Sequence, residues 1–201
     1  EYFSYIPKEL LPNLAAYKDG INVADKIYGL DGHITYWHQD KNQDAIVDTD
    51  EKVLLFVGMR RGGRNYYALD VSDPENPKFA WQILGGNGDF ANLGQSWSEM
   101  TLAKVPWEGG HRVVLLFGGG YDPAEDDRTS AGSHSMGNSI YMVDAETGEF
   151  LWQASNIGAS SINPEMTASI TSNIRPIDYN GDNIADFFYA TDVGGKIWRF
   201  D

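Results

Sequence analysis

Short apolar runs separated by glycine-rich or polar turns dominate the hydrophobic pattern of this chain, and helical periodicity is weak. Runs of this kind, rich in β-branched and aromatic residues, predict β-strands. They comprise residues 52–59 (KVLLFVGM), 65–72 (NYYALDVS), 79–84 (FAWQIL), 112–120 (RVVLLFGGG), 139–145 (SIYMVDA), 150–155 (FLWQAS), 186–193 (DFFYATDV) and 196–201 (KIWRFD). We therefore expect an all-β fold.

The predicted strands recur in one order: an apolar strand, a glycine break, a strand that ends in Asp, and an aromatic strand. The closest correspondence is between YYALDVSDPENPKFAWQI and IYMVDAETGEFLWQA. Repeats at this spacing indicate a β-propeller or part of one, because one sheet cannot bury both of its faces alone. Trp81 and Trp152 follow the turn of the first two units and are expected to pack against a neighbouring blade. Trp198 belongs to a third, incomplete unit.

Three segments fall outside this strand pattern. Residues 1–17 (EYFSYIPKELLPNLAAY) predict a short helix or irregular cap that leads into the first blade. The polar loop 121–137 is long for a hairpin, so it is either an insertion that contacts a partner or a mobile segment. Arg60, Arg61 and Arg64 surround Gly62 and Gly63 at a hairpin tip, where they are either solvated charges or a contact for an acidic partner.

Two stretches share an acidic pattern, D-K-N-Q-D-A-I-V-D at 40–48 and D-Y-N-G-D-N-I-A-D at 178–186. Side-chain oxygens at loop positions one, three, five and nine, with a backbone carbonyl at position seven, suit a hard cation such as calcium. The predicted ligands of the first loop are Asp40, Asn42, Asp44, the carbonyl of Ile46, and Asp48. Those of the second loop are Asp178, Asn180, Asp182, the carbonyl of Ile184, and Asp186. The alternative is a solvated acidic turn.

Both loops depart from the EF-hand pattern, which has Gly at position six and a bidentate Glu at position twelve. Position six is Ala45 in the first loop and Asn183 in the second, and Asn tolerates the left-handed conformation better than Ala. Position twelve is Glu51 in the first loop, a further predicted ligand, but Tyr189 in the second. No flanking helices are expected, so these are predicted to be calcium loops between strands that bind one or two ions.

The charge balance narrows the function classes. The chain has 15 basic and 29 acidic residues among 201, a net charge of −14, which argues against nucleic acid and anionic membrane surfaces as partners. No cysteine is present, so disulfide and thiolate chemistry are excluded. No stretch approaches the ~18 apolar residues of a membrane span.

Weak calcium loops fill only near millimolar calcium, which points outside the cytoplasm. We expect residues 1–201 to be a single propeller domain or a propeller fragment of a longer secreted protein.

The blocks VGMRRGGRNYYALDVSDP, VVLLFGGGYD, SIYMVDAETGEFLW and DYNGDNIADFFYATDVGGKIWRFD resemble the C-terminal modified β-propeller of the PilY/PilC family of type IV pilus tip-associated adhesins. The resemblance covers essentially the whole chain. It implies adhesion and calcium-dependent control of pilus extension and retraction, minor pilins or pilus tip proteins as partners, and contact with a host or abiotic surface. It also implies an extracellular place at the pilus tip, reached through the periplasm and outer membrane.

The family's calcium loop corresponds to Asp178, Asn180, Asp182, Ile184 and Asp186, and its correspondence to 40–48 is weaker. An Arg-Gly-Asp motif, which some members carry, is absent, so the resemblance does not imply integrin binding. The family's large N-terminal adhesive region has no counterpart in these residues, so the adhesion target stays open.

Enzymatic alternatives are less favoured. The repeats also resemble quinoprotein dehydrogenases, which hold calcium and a quinone in a central funnel, but their calcium ligands are dispersed and about three blades could not enclose the cofactor. His134 lies near Ser133, Ser135, Asp126 and Asp127, but a flexible loop is a poor platform for a catalytic triad. His33 and His38 lack the spacing of a zinc site. We therefore expect a calcium-binding protein that is not an enzyme, with a structural cell-surface scaffold as the alternative.

Overall fold

Three sheets follow one another along the chain in a computed structural model that describes residues 3–20, 26–130 and 132–201. Blade 1 consists of β1 (Ile34–His38), β2 (Val53–Gly58), β3 (Tyr66–Asp70) and β4 (Lys78–Ile83). Blade 2 consists of β5 (Thr101–Trp107), β6 (Gly110–Gly118), β7 (Ser139–Asp144), β8 (Phe150–Ser155) and β9 (Ser161–Ile162). Blade 3 consists of β10 (Arg175–Ile177), β11 (Phe187–Thr191) and β12 (Ile197–Phe200). Strands pair in chain order and antiparallel, apart from the parallel pair β8–β9.

Blade 2 is buried on both faces. Leu115 and Phe117 face blade 1 in one apolar cluster, whereas Val114 and Leu116 face blade 3 in another, and all four side chains are completely buried. Because neighbouring residues of a strand point to opposite faces, a strand between two blades must be apolar at every position. This explains the unbroken run VVLLF and confirms the all-β prediction.

Trp81 and Trp152 both make the predicted contacts with a neighbouring blade. Trp81 of β4 stacks on Phe56, with ring centroids 5.6 Å apart, and lies against Gly148 in the β7–β8 turn of blade 2. Trp152 of β8 meets Phe188 and Phe200 of blade 3 at 6.0 and 5.7 Å. Both strands carry a bulge at the matching place, which supports the internal repeat.

Trp198 occupies a different place in its blade. It lies on β12, the third strand, opposite Ala190, and its indole Nε1 donates to Asp192 Oδ2 at 2.9 Å. Its equivalents by strand position are the tyrosines of β3 and β7, rather than the tryptophans of β4 and β8. The third repeat therefore ends one strand earlier than the other two within the described residues.

The predicted N-terminal cap is present as a 3₁₀ helix, Lys8–Asn13, followed by α1, Leu14–Asp19. Leu10 packs into a small cluster with Met59 and Tyr67 on the face of blade 1 that is turned away from blade 2. Tyr67 Oη donates to Glu9 Oε2 at 2.9 Å. Within the described residues, further 3₁₀ turns span Arg60–Gly62, Gly88–Phe90 and Pro123–Glu125.

The long loop 121–137 is hydrogen-bonded to the body of the protein in its described residues, and both interpretations, a partner contact and a mobile segment, stay predictions. The fully buried Asp122 accepts hydrogen bonds from Ser135 N (2.7 Å), Ser135 Oγ (2.8 Å) and Ala124 N (3.0 Å). His134 N donates to Thr167 O at 2.8 Å. A buried carboxylate with several donors fixes a loop because each broken bond would leave a desolvated charge.

Successive connections of an antiparallel sheet alternate between its two ends. The β2–β3, β6–β7 and β11–β12 connections meet at one end of the blades, where Arg61, Tyr121 and Val193 line the same cleft. The β1–β2 and β10–β11 connections therefore lie at the opposite end. These two connections are the acidic loops.

Candidate metal centre

The two acidic loops occupy the same place in their blades. The first joins β1 to β2 in blade 1, and the second joins β10 to β11 in blade 3. In blade 2 the corresponding connection is a tight turn at Glu108 and Gly109, both with positive φ (46° and 81°). Two of the three blades thus carry an acidic loop at one structurally equivalent hairpin.

In the second loop, the acidic side chains fold the backbone around themselves. Asp178 Oδ1 accepts from Gly181 N at 2.6 Å, and its Oδ2 accepts from Asn183 N at 2.8 Å. Asn180 Oδ1 accepts from Asp182 N at 2.9 Å, and Asp182 Oδ1 accepts from Ile184 N at 2.9 Å. Positions one, three and five therefore each hold a backbone amide further along the loop.

The first loop uses the same scheme. Asp40 Oδ2 accepts from Ala45 N at 3.0 Å, the same offset that joins positions one and six in the second loop. Asn42 Oδ1 accepts from Asp44 N at 3.1 Å, and Asp44 Oδ1 accepts from Ile46 N at 2.8 Å. The two loops share their hydrogen-bond pattern as well as their sequence pattern.

Positions four and six of both loops have positive φ. The values are 62° at Gln43 and 62° at Ala45 in the first loop, and 82° at Gly181 and 64° at Asn183 in the second. Position six is where an EF-hand loop requires Gly for its sharp turn. Ala45 adopts this conformation despite its Cβ, at a cost of roughly 1–2 kcal/mol.

Position nine closes each loop. Asp186 Oδ2 accepts from Tyr179 N at 2.7 Å, and Asp48 Oδ2 accepts from Asn42 Nδ2 at 2.9 Å. Both carboxylates are exposed and return to the beginning of their loop. Each position-nine carboxylate is thus hydrogen-bonded to position two or three of its own loop.

Glu51, at position twelve of the first loop, fastens the loop to its base. Its side chain is buried, Oε1 accepts from Lys41 N at 2.7 Å, and Oε2 accepts from Asp48 N at 3.2 Å. His38 Nε2 lies 3.2 Å from the same Oε2. The Lys41 amide is the main cause that lowers the pKa of Glu51. Its role as a metal ligand stays a prediction.

The second loop has no acidic residue at position twelve. Tyr189 is on β11, and its ring meets that of Phe187 edge-on at 5.7 Å. Loop residues 178–183 are exposed, which leaves water as a source of further ligands.

The carboxylate of Asp178 is stabilised as an anion. Desolvation acts to raise the pKa of Asp178, but the amides of Asn183, Gly181 and Asp182 lower it below its ordinary value. Among the residues that the structure describes, no three His, Asp or Glu side chains converge as a ready-made metal site. The predicted ligand sets also depend on Asn and peptide carbonyls, and the carboxylates presently accept hydrogen bonds from backbone amides.

The second loop is also joined to the neighbouring blade, which sequence reasoning missed. Ala185 N donates to Lys104 O of β5 at 2.8 Å, and Asp186 N donates to Ile177 O at 2.9 Å. No sequence pattern reveals this contact, because it depends on how blade 3 packs on blade 2. The loop is therefore hydrogen-bonded to blade 2 as well as to its own blade.

The residues considered for hydrolysis form a different arrangement from the one suggested by their proximity in sequence. His134 Nδ1 lies 2.8 Å from Ser169 Oγ, and His134 Nε2 lies 3.4 Å from Glu125 Oε2. Ser169 is fully buried and also donates to Met136 O at 3.1 Å. These contacts connect the loop 121–137 to Ser169 in the segment between β9 and β10.

These features define the class of protein: a β-propeller, or part of one, with acidic loops on two of the three described blades. A family model described as the PilY1 beta-propeller domain matches residues 4–201. The chain belongs to this family of type IV pilus proteins.

Relatives with related names are similar over most of the chain. The type IV pilus biogenesis factor PilY1 of Pseudomonas aeruginosa strain PAO1 is 31% identical over 158 residues, which is 79% of this chain and 12% of the relative. A PilY1 homolog of Xylella fastidiosa is 28% identical over 202 residues, covering 100% of this chain and 14% of the relative. The chain therefore spans about an eighth of the length of these relatives.

The fold has a solved counterpart. The crystal structure of the Pseudomonas aeruginosa PilY1 C-terminal domain matches all of this chain with a TM-score of 0.64 and 24% identity, and the chain covers 34% of it. This match confirms the modified β-propeller prediction. No helix in the described ranges is long and apolar enough to cross a membrane.

Proposed function

We propose that this chain is a calcium-binding propeller module of a type IV pilus protein, which acts in adhesion and in calcium-dependent control of pilus extension and retraction. The observation that carries the calcium proposal is the repetition of one loop design. Two loops at equivalent hairpins have side-chain oxygens at the same loop positions. They also have the same spacing between hydrogen-bond partners and the same two positive-φ positions. A solvated acidic turn would have no reason to repeat all three.

Each residue has a defined part in the proposed site. Asp178, Asn180, Asp182 and Asp186 would supply side-chain oxygens, and Ile184 its carbonyl; Asp40, Asn42, Asp44, Asp48 and Ile46 would do so in the first loop. Calcium supplies positive charge that neutralises carboxylates crowded into one turn. Glu51 holds the ends of the first loop together through two backbone amides.

Ordering of the second loop would reach beyond the turn. β11 begins directly after Asp186, and Ala185 is bonded to β5. A loop that is fixed at both ends restrains the strand that follows it. Minor pilins or other pilus tip proteins would then contact an ordered face, outside the cell at the pilus tip.

The test is a calorimetric calcium titration of metal-stripped protein, with thermal unfolding measured in parallel. We expect two bound ions and stabilisation of about 2.7 kcal/mol for each site when calcium is a hundredfold above its dissociation constant. Asp182→Asn and Asp44→Asn should each weaken calcium binding at one site, because the ligand loses its negative charge. The loop should stay folded, because Asn can still accept the bond from the amide two residues on. The matched control is Asp73→Asn, because Asp73 accepts from Glu75 N in an exposed turn outside both loops.

Absence of binding in the millimolar range would refute the calcium proposal while leaving family membership intact. Binding without any effect on surface piliation, tested with Asp182→Asn in the full-length protein, would favour the structural scaffold instead. Reduction of a dye that depends on an added quinone would favour the quinoprotein alternative.

A further inference from the structure

The opposite end of the blades carries a cleft that the proposed calcium loops do not use. Its volume is about 540 Å³, and its lining includes Tyr28, Arg61, Trp97 and Tyr121. Trp, Tyr and Arg are the residue types that dominate the energetics of protein interfaces. Their concentration in one open cleft is therefore an observation that points to a macromolecular partner.

The aromatic rings of the cleft hold two guanidinium groups in place. Arg60 Cζ lies 4.4 Å from the centroid of the Trp97 ring. Arg61 Cζ lies 5.6 Å from the same ring and 5.2 Å from that of Tyr28, whose Oη accepts from Arg61 Nη1 at 3.3 Å. Stacking of this kind orders a guanidinium before a ligand arrives, so less entropy is lost on binding.

The backbone beneath the cleft is strained. Arg60 has φ = 51°, an uncommon conformation for a long side chain, and is held there by Arg60 N donating to Ser96 Oγ at 3.0 Å. Gln95 and Tyr121 exchange backbone hydrogen bonds of 2.8 and 2.9 Å. Strained residues that the surrounding structure fixes are concentrated at ligand sites.

One charged side chain of the cleft, Arg61, is available to bind an anion. Arg61 is exposed, and among the described residues no carboxylate pairs with its side chain. Three acidic groups nearby are hydrogen-bonded within the fold. Asp31 Oδ1 accepts from Arg61 N at 3.0 Å, Glu125 Oε1 accepts from Arg128 Nη1 at 2.7 Å, and Asp126 Oδ1 accepts from the neutral Tyr121 Oη at 2.6 Å. Arg61 can therefore offer its planar donors to a carboxylate.

We propose that this cleft binds a peptide segment of a partner protein that presents a carboxylate, from Asp, Glu or a chain terminus, beside an aromatic side chain. The carboxylate would bond to Arg61, and the aromatic ring would pack beside Trp97 and Tyr121, whose centroids are 5.9 Å apart. Arg64 has no part in this site, because its side chain donates to the carbonyls of Leu93 and Ala91.

The first probes are N-acetyl-Phe-Asp-amide and its matched neutral analogue N-acetyl-Phe-Asn-amide, and their binding is followed by NMR at the indole Nε1–H of Trp97. That resonance is assigned by its loss in Trp97→Phe. We expect saturable shifts with the acidic probe and at least about tenfold weaker binding of the neutral probe, because a carboxylate–guanidinium bond is lost. Arg61→Gln should weaken the acidic probe by a similar factor.

The matched control is Arg175→Gln, which removes the same charge from an exposed position on β10. It should leave binding unchanged. Equal binding of the two probes, an unchanged affinity in Arg61→Gln, or no shift at Trp97 in the millimolar range would each overturn the proposal. The proposal would also be overturned if a neutral oligosaccharide shifted the Trp97 resonance and bound Arg61→Gln and the wild type equally well. Each of these outcomes can be measured without calcium, so failure of this proposal can be distinguished from failure of the calcium proposal.

Discussion

The contact between Trp81 and Gly148 permits a sharp test of how blades 1 and 2 are joined. Gly148 has φ = 72°, and a Cβ built on it would lie 2.7 Å from two ring atoms of Trp81. Gly148→Ala therefore introduces two penalties. The left-handed backbone costs roughly 1–2 kcal/mol, and overpacking against a large ring adds typically about 1–3 kcal/mol.

Gly195→Ala is the matched control for the backbone penalty alone. Gly195 has φ = 89° in the β11–β12 turn, and no atom lies within 4 Å of the position that its Cβ would take. Both glycines donate their amide to the carbonyl of an Asp, at 2.9 Å for Gly148 to Asp144 and 3.1 Å for Gly195 to Asp192. The difference between the two variants isolates the contact between the blades.

We expect Gly148→Ala to be less stable than Gly195→Ala by about 1–3 kcal/mol. For a domain of this size, each kcal/mol lowers the Tm by about 2–4 °C. Circular dichroism during thermal and urea unfolding measures both quantities. Equal destabilisation of the two variants would refute the reasoning, since it would mean that the Trp81 ring moves aside at no cost or does not lie on the turn.

Two further predictions concern a loop and a buried acid. Ala45→Gly should stabilise the metal-free protein by roughly 1 kcal/mol because it relieves a left-handed Ala, whereas Asn183→Gly should change the free energy of unfolding less; equal effects in urea unfolding would contradict this. Burial raises the pKa of Asp122, but hydrogen bonds led by those from Ser135 and Ala124 lower it below its ordinary value. The charged Asp122 therefore stabilises the fold above the unfolded pKa of about 3.9, and this contribution is lost as pH falls through the folded pKa. Asp122→Asn should flatten the decline of stability below about pH 4, while substitution of the exposed Asp127 by Asn should leave that decline unchanged.

Sequence reasoning found the strands with continuous apolar or aromatic runs, both those that are mostly buried, such as β7, and those that are partly exposed, such as β12. β2 alternates buried and half-buried positions, and β6 and β7 are almost wholly apolar. β1 escaped notice because Ile34 and Tyr36 are 65% and 67% exposed, so its apolar residues do not mark a buried face. β5 escaped because Lys104 and Pro106 interrupt it. These first strands of blades 1 and 2 are therefore determined by the strands with which they pair more than by their own hydrophobic pattern.

The spacing of the side-chain oxygens in the acidic loops could be predicted from the sequence, but the hydrogen bonds of Glu51 could not. Alternate side-chain oxygens follow from spacing, and the left-handed conformation at position six follows from the loop type. The capture of Lys41 N and Asp48 N by Glu51 depends on burial of that side chain, which spacing does not encode. The arginines show the same limit, because their spacing allows solvated charge or a partner contact, whereas the Arg64 side chain is bonded within the fold.

The two ends of the blades are joined by the strands themselves. β2 begins just after the first acidic loop and ends beside Arg60, and β11 runs from Asp186 to the turn that contains Val193 at the cleft. Each strand is about 17–20 Å long, so a loop ordered at one end restrains a cleft-lining turn at the other without any moving domain. If calcium strengthens peptide binding through these strands, the peptide must strengthen calcium binding by the same factor. The calcium titration and the peptide titration, each repeated with the other ligand present, therefore measure one coupling free energy twice.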